Sequence, residues 1–73
     1  MSLHPSAFLY LRPTEEQGGA MAEVRELFTS FAGKLDDLIP DGPDKTYLMR
    51  QLREAGMWAM IAITRHPDGS PRA

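Results

Sequence analysis

Apolar residues recur at helical spacing in the first half of the chain. They lie at Met21, Val24, Phe28, Phe31, Leu35 and Leu38, in steps of 3, 4, 3, 4 and 3 residues. Such a pattern is typical of a helix with one apolar face that packs on a neighbouring helix. Thr14 and Gln17 form a capping-box pattern, and Glu15 and Glu16 suit a first turn because the helix dipole favours acids there. The pattern predicts a first helix from residue 15 to residue 38.

A helix-breaking segment separates the first helix from a second helical pattern. The run Ile39-Pro40-Asp41-Gly42-Pro43 leaves room only for a tight turn. The next apolar stripe comprises Leu48, Leu52, Ala55, Ala59 and Ala62. It predicts a second helix from about Pro43 to Arg65. Short connections favour antiparallel helices, so we predict an all-α, antiparallel helical hairpin. We expect residues 1–13 to form an N-terminal arm, residues 14–66 the hairpin domain and residues 67–73 a flexible tail.

The second half of the second helix is apolar on every side. Residues 55–63 read Ala-Gly-Met-Trp-Ala-Met-Ile-Ala-Ile. A helix that is apolar all round is buried all round, whereas one partner helix covers one face only. Met57, Trp58, Met60 and Ile61 therefore predict a homo-oligomer. A chain of 73 residues also needs a source of stability beyond its own small core. With no cysteine it has no disulfide to provide it.

Composition and charge narrow the set of partners. The chain carries eight Lys and Arg against ten Asp and Glu, a net charge of −2. Duplex DNA or RNA normally meets a basic face, so neither is expected as a partner. No apolar run approaches the roughly 20 residues of a membrane helix, and no segment reads as a signal peptide. We therefore expect a cytoplasmic protein with no membrane partner.

Residues suited to catalysis are scarce. The two histidines, His4 and His66, lie near opposite ends of the chain and have no metal-ligand spacing. We expect both to be exposed. Gly18-Gly19 has neither of the glycine spacings that cradle phosphates. The sequence thus predicts a protein that is not an enzyme and that uses neither a metal nor another cofactor.

Residues suited to binding stand in the arm. Phe8 and Tyr10 are two residues apart, so they share a face of an extended segment. Tyr10 offers a flat ring for stacking, and Arg12 adds charge beside it. The alternative is that both rings only fix the arm to the helices.

Three further sets of cations could meet a ligand. A second stripe on the first helix comprises Gly18, Ala22, Arg25, Thr29 and Ala32. It predicts a groove of small residues into which Arg25 points, although Arg25 could instead pair with an acid of a partner chain. Arg65, in the last turn of the second helix, could bind a phosphate or only complement the helix dipole. Lys45, Arg50 and Arg53 are expected on a solvated face.

Two segments together resemble a known family. The arm Phe8-Leu9-Tyr10-Leu11-Arg12-Pro13 and the run from Leu52 to Ile63, with its Ala-Gly-Met-Trp-Ala core, are similar to the bacteriophage anti-CBASS cyclic-nucleotide sponges. Those proteins have an F-x-Y-H-x-P arm and an Ala-x-Met-Trp-Ala second helix. The similarity covers about residues 7–65. Leu11 stands in place of the family's arm histidine, and Met60 in place of its asparagine.

The resemblance implies a function and an assembly. It implies a homohexamer that holds cyclic dinucleotides between protomers, and in some members cyclic trinucleotides at separate sites, without cleaving them. It assigns the stacking role to Tyr10 and the basic role to Arg25, with Phe8, Arg12 and Arg65 as further candidates. The location implied is the host bacterial cytoplasm during infection. Two other readings compete: a helical oligomer that serves as a protein-binding adaptor, and a small transcriptional regulator, which the net acidity weakens.

Overall fold

The protein is a hairpin of two helices, described by a computed structural model for residues 2–73. Helix α1 spans Glu15–Leu38 and helix α2 spans Pro43–Thr64. The start of α1 meets the end of α2, where the Gln17 side chain donates to the Ile63 carbonyl at 3.5 Å. The helices are therefore antiparallel, as predicted. Within residues 2–73 there is no β-strand, only an isolated bridge between Arg65 and Pro71.

Helix α1 begins at the predicted capping box. The Gln17 amide donates to the Thr14 hydroxyl at 3.1 Å, and the Thr14 amide donates to the Gln17 side chain at 3.0 Å. These bonds satisfy amides that have no partner within the helix. The helix ends at Leu38 because Ile39 is extended and Pro40 follows. Helix α2 begins with Pro43 at its first position, where a missing amide hydrogen costs nothing.

The end of the hairpin at which α1 turns into α2, here called the turn end, is held by Lys45. Its ammonium group donates to the Asp36 carbonyl at 2.9 Å and lies 2.9 Å and 3.0 Å from carboxylate oxygens of Asp36 and Asp41. The hydrogen bond to Asp36, then that to Asp41, raises the pKa of Lys45 above its ordinary value. The prediction that Lys45 lies on a solvated face is wrong, because only 11% of its side chain is exposed.

The contact between the helices is thin. On α1, four of the predicted seam residues are half-buried: Met21, Val24, Phe28 and Leu35. Phe31 and Leu38 are exposed. No apolar side chain among residues 2–73 is fully buried, and the protein measures 43 × 28 × 16 Å.

The inner stripe of α2 differs from the predicted one in its second half. Ala55 and Ala62 are exposed, while Gly56, Met60 and Ile63 are half-buried in their place. The predicted 4, 3, 4, 3 spacing repeats every seven residues, and a straight helix drifts about 20° per heptad away from such a repeat. The contact face therefore moves along one residue toward the C-terminus.

The arm and the C-terminal segment meet beyond the open end of the hairpin. The His4 amide donates to the Asp68 carbonyl at 2.7 Å, and the Arg72 amide donates to the Thr64 carbonyl at 2.9 Å. The Arg72 side chain donates to the Ala62 carbonyl at 2.8 Å. Residues 67–73, the predicted flexible tail, thus have contacts with both α2 and the arm. No helix in the described part of the chain is long and apolar enough to cross a membrane.

Candidate ligand-binding surface

The arm presents two aromatic rings to solvent. Phe8 is 90% exposed and Tyr10 is 88% exposed. The arm is folded locally by two turns, in which the Ala7 amide donates to the His4 carbonyl and the Leu9 amide to the Ser6 carbonyl. Since neither ring is buried against the helices of its own chain, these side chains do not fix the arm in place. Arg12, two residues beyond Tyr10, is also exposed.

Arg65 fixes the arm instead. One terminal nitrogen of its guanidinium donates to the Ser6 carbonyl at 3.0 Å and to the Gly69 carbonyl at 2.6 Å. The other donates to the Leu9 carbonyl at 2.6 Å. The three partners are neutral carbonyls of the arm and the C-terminal segment, and together they fix the geometry of the guanidinium.

Arg25 borders a groove between the two helices, here called the helix groove, of about 810 Å³. Its guanidinium donates weakly to the Met60 sulfur at 3.7 Å. The predicted groove of small α1 residues is wrong in detail, since of that stripe only Thr29 lines the helix groove beside Arg25. Helix α2 supplies the opposite wall because the hairpin folds its second half against α1.

The helix groove is positively charged although the chain is acidic. Arg50 and Arg53 line it together with Arg25, against the single acid Glu54. Three arginines and one glutamate give the groove a net charge of +2. Arg50 and Arg53 are exposed, as predicted, but their position beside this groove was not predicted. Their spacing from Trp58 along α2 was a usable signal, since residues 50, 53 and 57 or 58 fall on one side of a helix.

A second groove, here called the arm groove, lies between the arm and the end of α2. It has a volume of about 470 Å³ and is lined by Phe8, Trp58, Ile61, Arg65 and Arg72, among others. Trp58 lines both grooves and is 62% exposed. Arg72 is not among the predicted site residues, because its position depends on how the C-terminal segment folds back.

The predicted site residues do not form one cluster within a single chain. Arg25 lines the helix groove, whereas Phe8 and Arg65 line the arm groove. Tyr10 projects from the arm and lines neither. His4 and His66 are exposed as predicted, and their rings contact Ser6 and Arg72 respectively. Residues 2–73 contain no cluster of side chains suited to hold a metal ion.

Comparison with protein families gives a match over most of the chain. The family model described as Acb2/Tad1, hairpin domain, matches residues 5–64. That range runs from the arm to the last residue of α2 and includes Tyr10, Arg25 and Trp58. Searches of curated proteins and of solved structures find no match. The resemblance seen in the sequence is thus confirmed over most of the chain, which belongs to the Acb2/Tad1 hairpin-domain family of anti-CBASS sponge proteins.

Proposed function

We propose that this protein sequesters cyclic oligonucleotide second messengers without cleaving them and so blocks host CBASS signalling against phage. Cyclic dinucleotides are the first class of ligand and cyclic trinucleotides the second. The family match over residues 5–64 carries the proposal, because the matched range contains both Tyr10 and Arg25. The site of action is the bacterial cytoplasm during infection.

The exposed groups suit such a ligand. A cyclic dinucleotide has two flat bases and two negative phosphates. The Tyr10 ring is free to stack on a base, and stacking is worth about 1–3 kcal/mol per base. Arg25 has guanidinium donors left over from its weak contact with Met60, and they match the oxygens of a phosphate.

The ligand site is proposed to lie between protomers. Tyr10 and Arg25 border different parts of one chain, so a second copy would bring its Tyr10 beside the first copy's Arg25. A two-fold arrangement presents each group twice and so fits a ligand with two similar halves. Met57, Trp58 and Ile61 remain 43–62% exposed and support a homo-oligomer, which the family resemblance suggests is a hexamer.

Calorimetric titration with cyclic di-AMP, cyclic di-GMP, cyclic GMP–AMP and cyclic tri-AMP tests the proposal. We expect micromolar or tighter binding of at least one of these ligands. Tyr10→Ala should weaken binding by about 1–3 kcal/mol per stacked base, and Arg25→Ala by about 1.5–3 kcal/mol. Tyr47→Ala is the matched control, since Tyr47 is an exposed tyrosine on α2 far from the arm. Binding at wild-type strength by both site variants would place the pocket elsewhere.

Turnover is tested on the same complexes. The bound nucleotide is released by denaturing the protein and is then analysed by chromatography. We expect intact cyclic ligand at every incubation time. Linear product that increases with time and with the amount of protein would contradict sequestration. The candidate catalytic pair would then be His4 and Ser6, whose ring nitrogen and hydroxyl lie 2.7 Å apart.

The second candidate function is a protein-binding adaptor. The exposed apolar face formed by Met57, Trp58 and Ile61 favours it, because such a face also fits the apolar side of a foreign helix. Light scattering and nucleotide titration together separate the two functions. An oligomer that binds no cyclic nucleotide would favour the adaptor.

A further inference from the structure

The peptide unit that leads into Tyr10 is anchored from the far end of α2. The Leu9 carbonyl belongs to the bond that joins Leu9 to Tyr10, and it accepts the 2.6 Å hydrogen bond from Arg65. Ser6, at the start of the same turn, accepts a second bond from Arg65 at 3.0 Å. One guanidinium therefore fixes both ends of the turn that precedes Tyr10.

A second anchor lies just after Tyr10. The capping box of Thr14 and Gln17 fixes the chain four residues on, and the Gln17 side chain reaches the Ile63 carbonyl near the Arg65 end of α2. Pro13 removes backbone freedom between the two anchors. Tyr10 thus has a fixed backbone on both sides, while 88% of its surface is exposed.

The C-terminal segment closes the other side of the arm. Gly69 has φ +91°, a conformation that favours glycine, and its carbonyl accepts from Arg65 at 2.6 Å. A methyl group at Gly69 would lie 2.6 Å from the Ala7 Cβ atom, so the arm and this segment are in close contact. We call this arrangement, Arg65 with residues 4–9 and 68–72, the arm clasp.

We propose that Arg65 is a positioning residue: it holds the arm so that Tyr10 is presented in its binding conformation, and it acts on the cyclic nucleotide through Tyr10. This inference rests on the proposed function. An arm free in solution would have to be ordered at the moment of binding, and the entropy lost would weaken affinity. The clasp orders the arm beforehand. An arginine suits this role because the two terminal nitrogens of its planar guanidinium donate to different acceptors, one to the Ser6 and Gly69 carbonyls and the other to the Leu9 carbonyl.

The test is a double-mutant cycle on Arg65 and Tyr10. Arg65→Met keeps the length of the side chain and removes its donors, and Arg65→Lys keeps the charge but not the fork. Lys34→Met is the control, since it removes one positive charge from an exposed position on α1. Each variant is titrated with each panel dinucleotide that the wild type binds, in the wild-type and Tyr10→Ala backgrounds.

We expect Arg65→Met and Arg65→Lys to weaken binding by about tenfold. A change of this size corresponds to the free energy lost when one flexible side chain is ordered on binding. In the Tyr10→Ala background the same changes should alter affinity less than about twofold, because the group that Arg65 positions is absent. Lys34→Met should have no effect in either background. Hydrogen exchange at the Leu9 amide, which donates to Ser6, should be faster in both Arg65 variants while the mass of the assembly is unchanged.

Two results would overturn this inference alone. An equal loss of affinity in both backgrounds would show that Arg65 contacts the ligand directly, and wild-type affinity in both Arg65 variants would show that the clasp does not matter for binding. A wild-type protein that binds no member of the panel would overturn the proposed function, and this inference with it. If Arg65→Met does not fold, Arg65→Lys decides, because it preserves the charge and most of the packing.

Discussion

The two ends of the hairpin are held by different kinds of contact. At the turn end, Lys45 bonds Asp36 and Asp41, which lie nine and four residues away along the chain. At the opposite end, Arg65 bonds Ser6 and Leu9, which lie 59 and 56 residues away. The turn end joins opposite charges, whereas the arm clasp joins a cation to neutral carbonyls.

The contacts at the turn end are therefore local in sequence, whereas those of the arm clasp depend on the whole fold. The turn end can form as soon as the two helices begin to meet, because its partners are neighbours in sequence. The arm clasp forms only when both helices are complete and both termini have returned to the same place. We therefore expect changes at the arm end to alter assembly and binding, and equivalent changes at the turn end to alter little.

The largest contrast should come from charging an exposed apolar side chain at each end. Met57→Lys places a charge on the apolar face that we propose is covered by other chains, and burying an unpaired charge costs on the order of several kcal/mol. It should dissociate the oligomer. Tyr47→Lys, at a similarly exposed site near the turn end, should leave it intact. Light scattering on both variants gives the comparison, and an unchanged mass for Met57→Lys would show that this face is not the interface.

A smaller contrast is expected between two glycines. Gly69→Ala forces φ +91° on an alanine, at about 1–2 kcal/mol, and pushes against Ala7, at about 1–3 kcal/mol more. Gly42→Ala changes a cap position with extended backbone and open space around it, and should cost at most about 1 kcal/mol. Thermal unfolding at one protein concentration measures both. Equal losses would mean that the clasp adds nothing to stability.

The smallest effects should be opposite responses to pH. Hydrogen bonds from the Ser70 hydroxyl and amide, with the charges of His4 and His66, hold the pKa of Asp68 below its ordinary value of 3.8. Its contribution to stability is present above pH 3.8 and is lost as the pH falls through the lowered pKa. Asp68→Asn should therefore be less stable than the wild type at neutral pH, and this difference should close in strong acid.

The turn end should respond at the alkaline limit. The pKa of Lys45 is raised above 10.5 by Asp36 and Asp41, so its contribution is present below pH 10.5 and is lost as the pH rises through the raised pKa. The stability difference between the wild type and Lys45→Met should therefore narrow as the pH rises through that raised pKa. A difference that stayed constant over this alkaline range would show that the charge of the ammonium group does not stabilise the turn end.

Sequence reasoning succeeded where the contacts are local. The capping box, the bounds of α1 and the breaker at residues 39–43 follow from neighbours within five residues, so their pattern could be recognised directly. The apolar character of the second half of α2 could be recognised directly from the composition of residues 55–63, and its coverage by other chains stays a prediction. The family resemblance identified Tyr10 and Arg25 as candidates, and their role stays a prediction.

Reasoning from sequence was weaker where partners are far apart. The sequence predicts a ligand contact or a dipole complement for Arg65, because nothing near it in the chain reveals its hydrogen bonds to the Ser6 and Leu9 carbonyls. The sequence predicts a solvated face for Lys45, because the contacts with Asp36 and Asp41 depend on how the turn folds in three dimensions. The contacts of residues 67–73 were missed for the same reason, since a short polar segment after a proline resembles a frayed end.

Among residues 2–73 no apolar side chain is fully buried, and this affects how the activity of the protein depends on its concentration. Little of the free energy that holds the chain in shape comes from within one copy, so in the proposed homo-oligomer most of it would come from contacts between copies. By mass action, the active fraction then rises steeply with the number of copies present. Soon after synthesis begins, few chains would be competent to hold a messenger. Once enough accumulate, capture would begin over a narrow range of concentration, so that the timing of expression sets the moment at which the signal is removed.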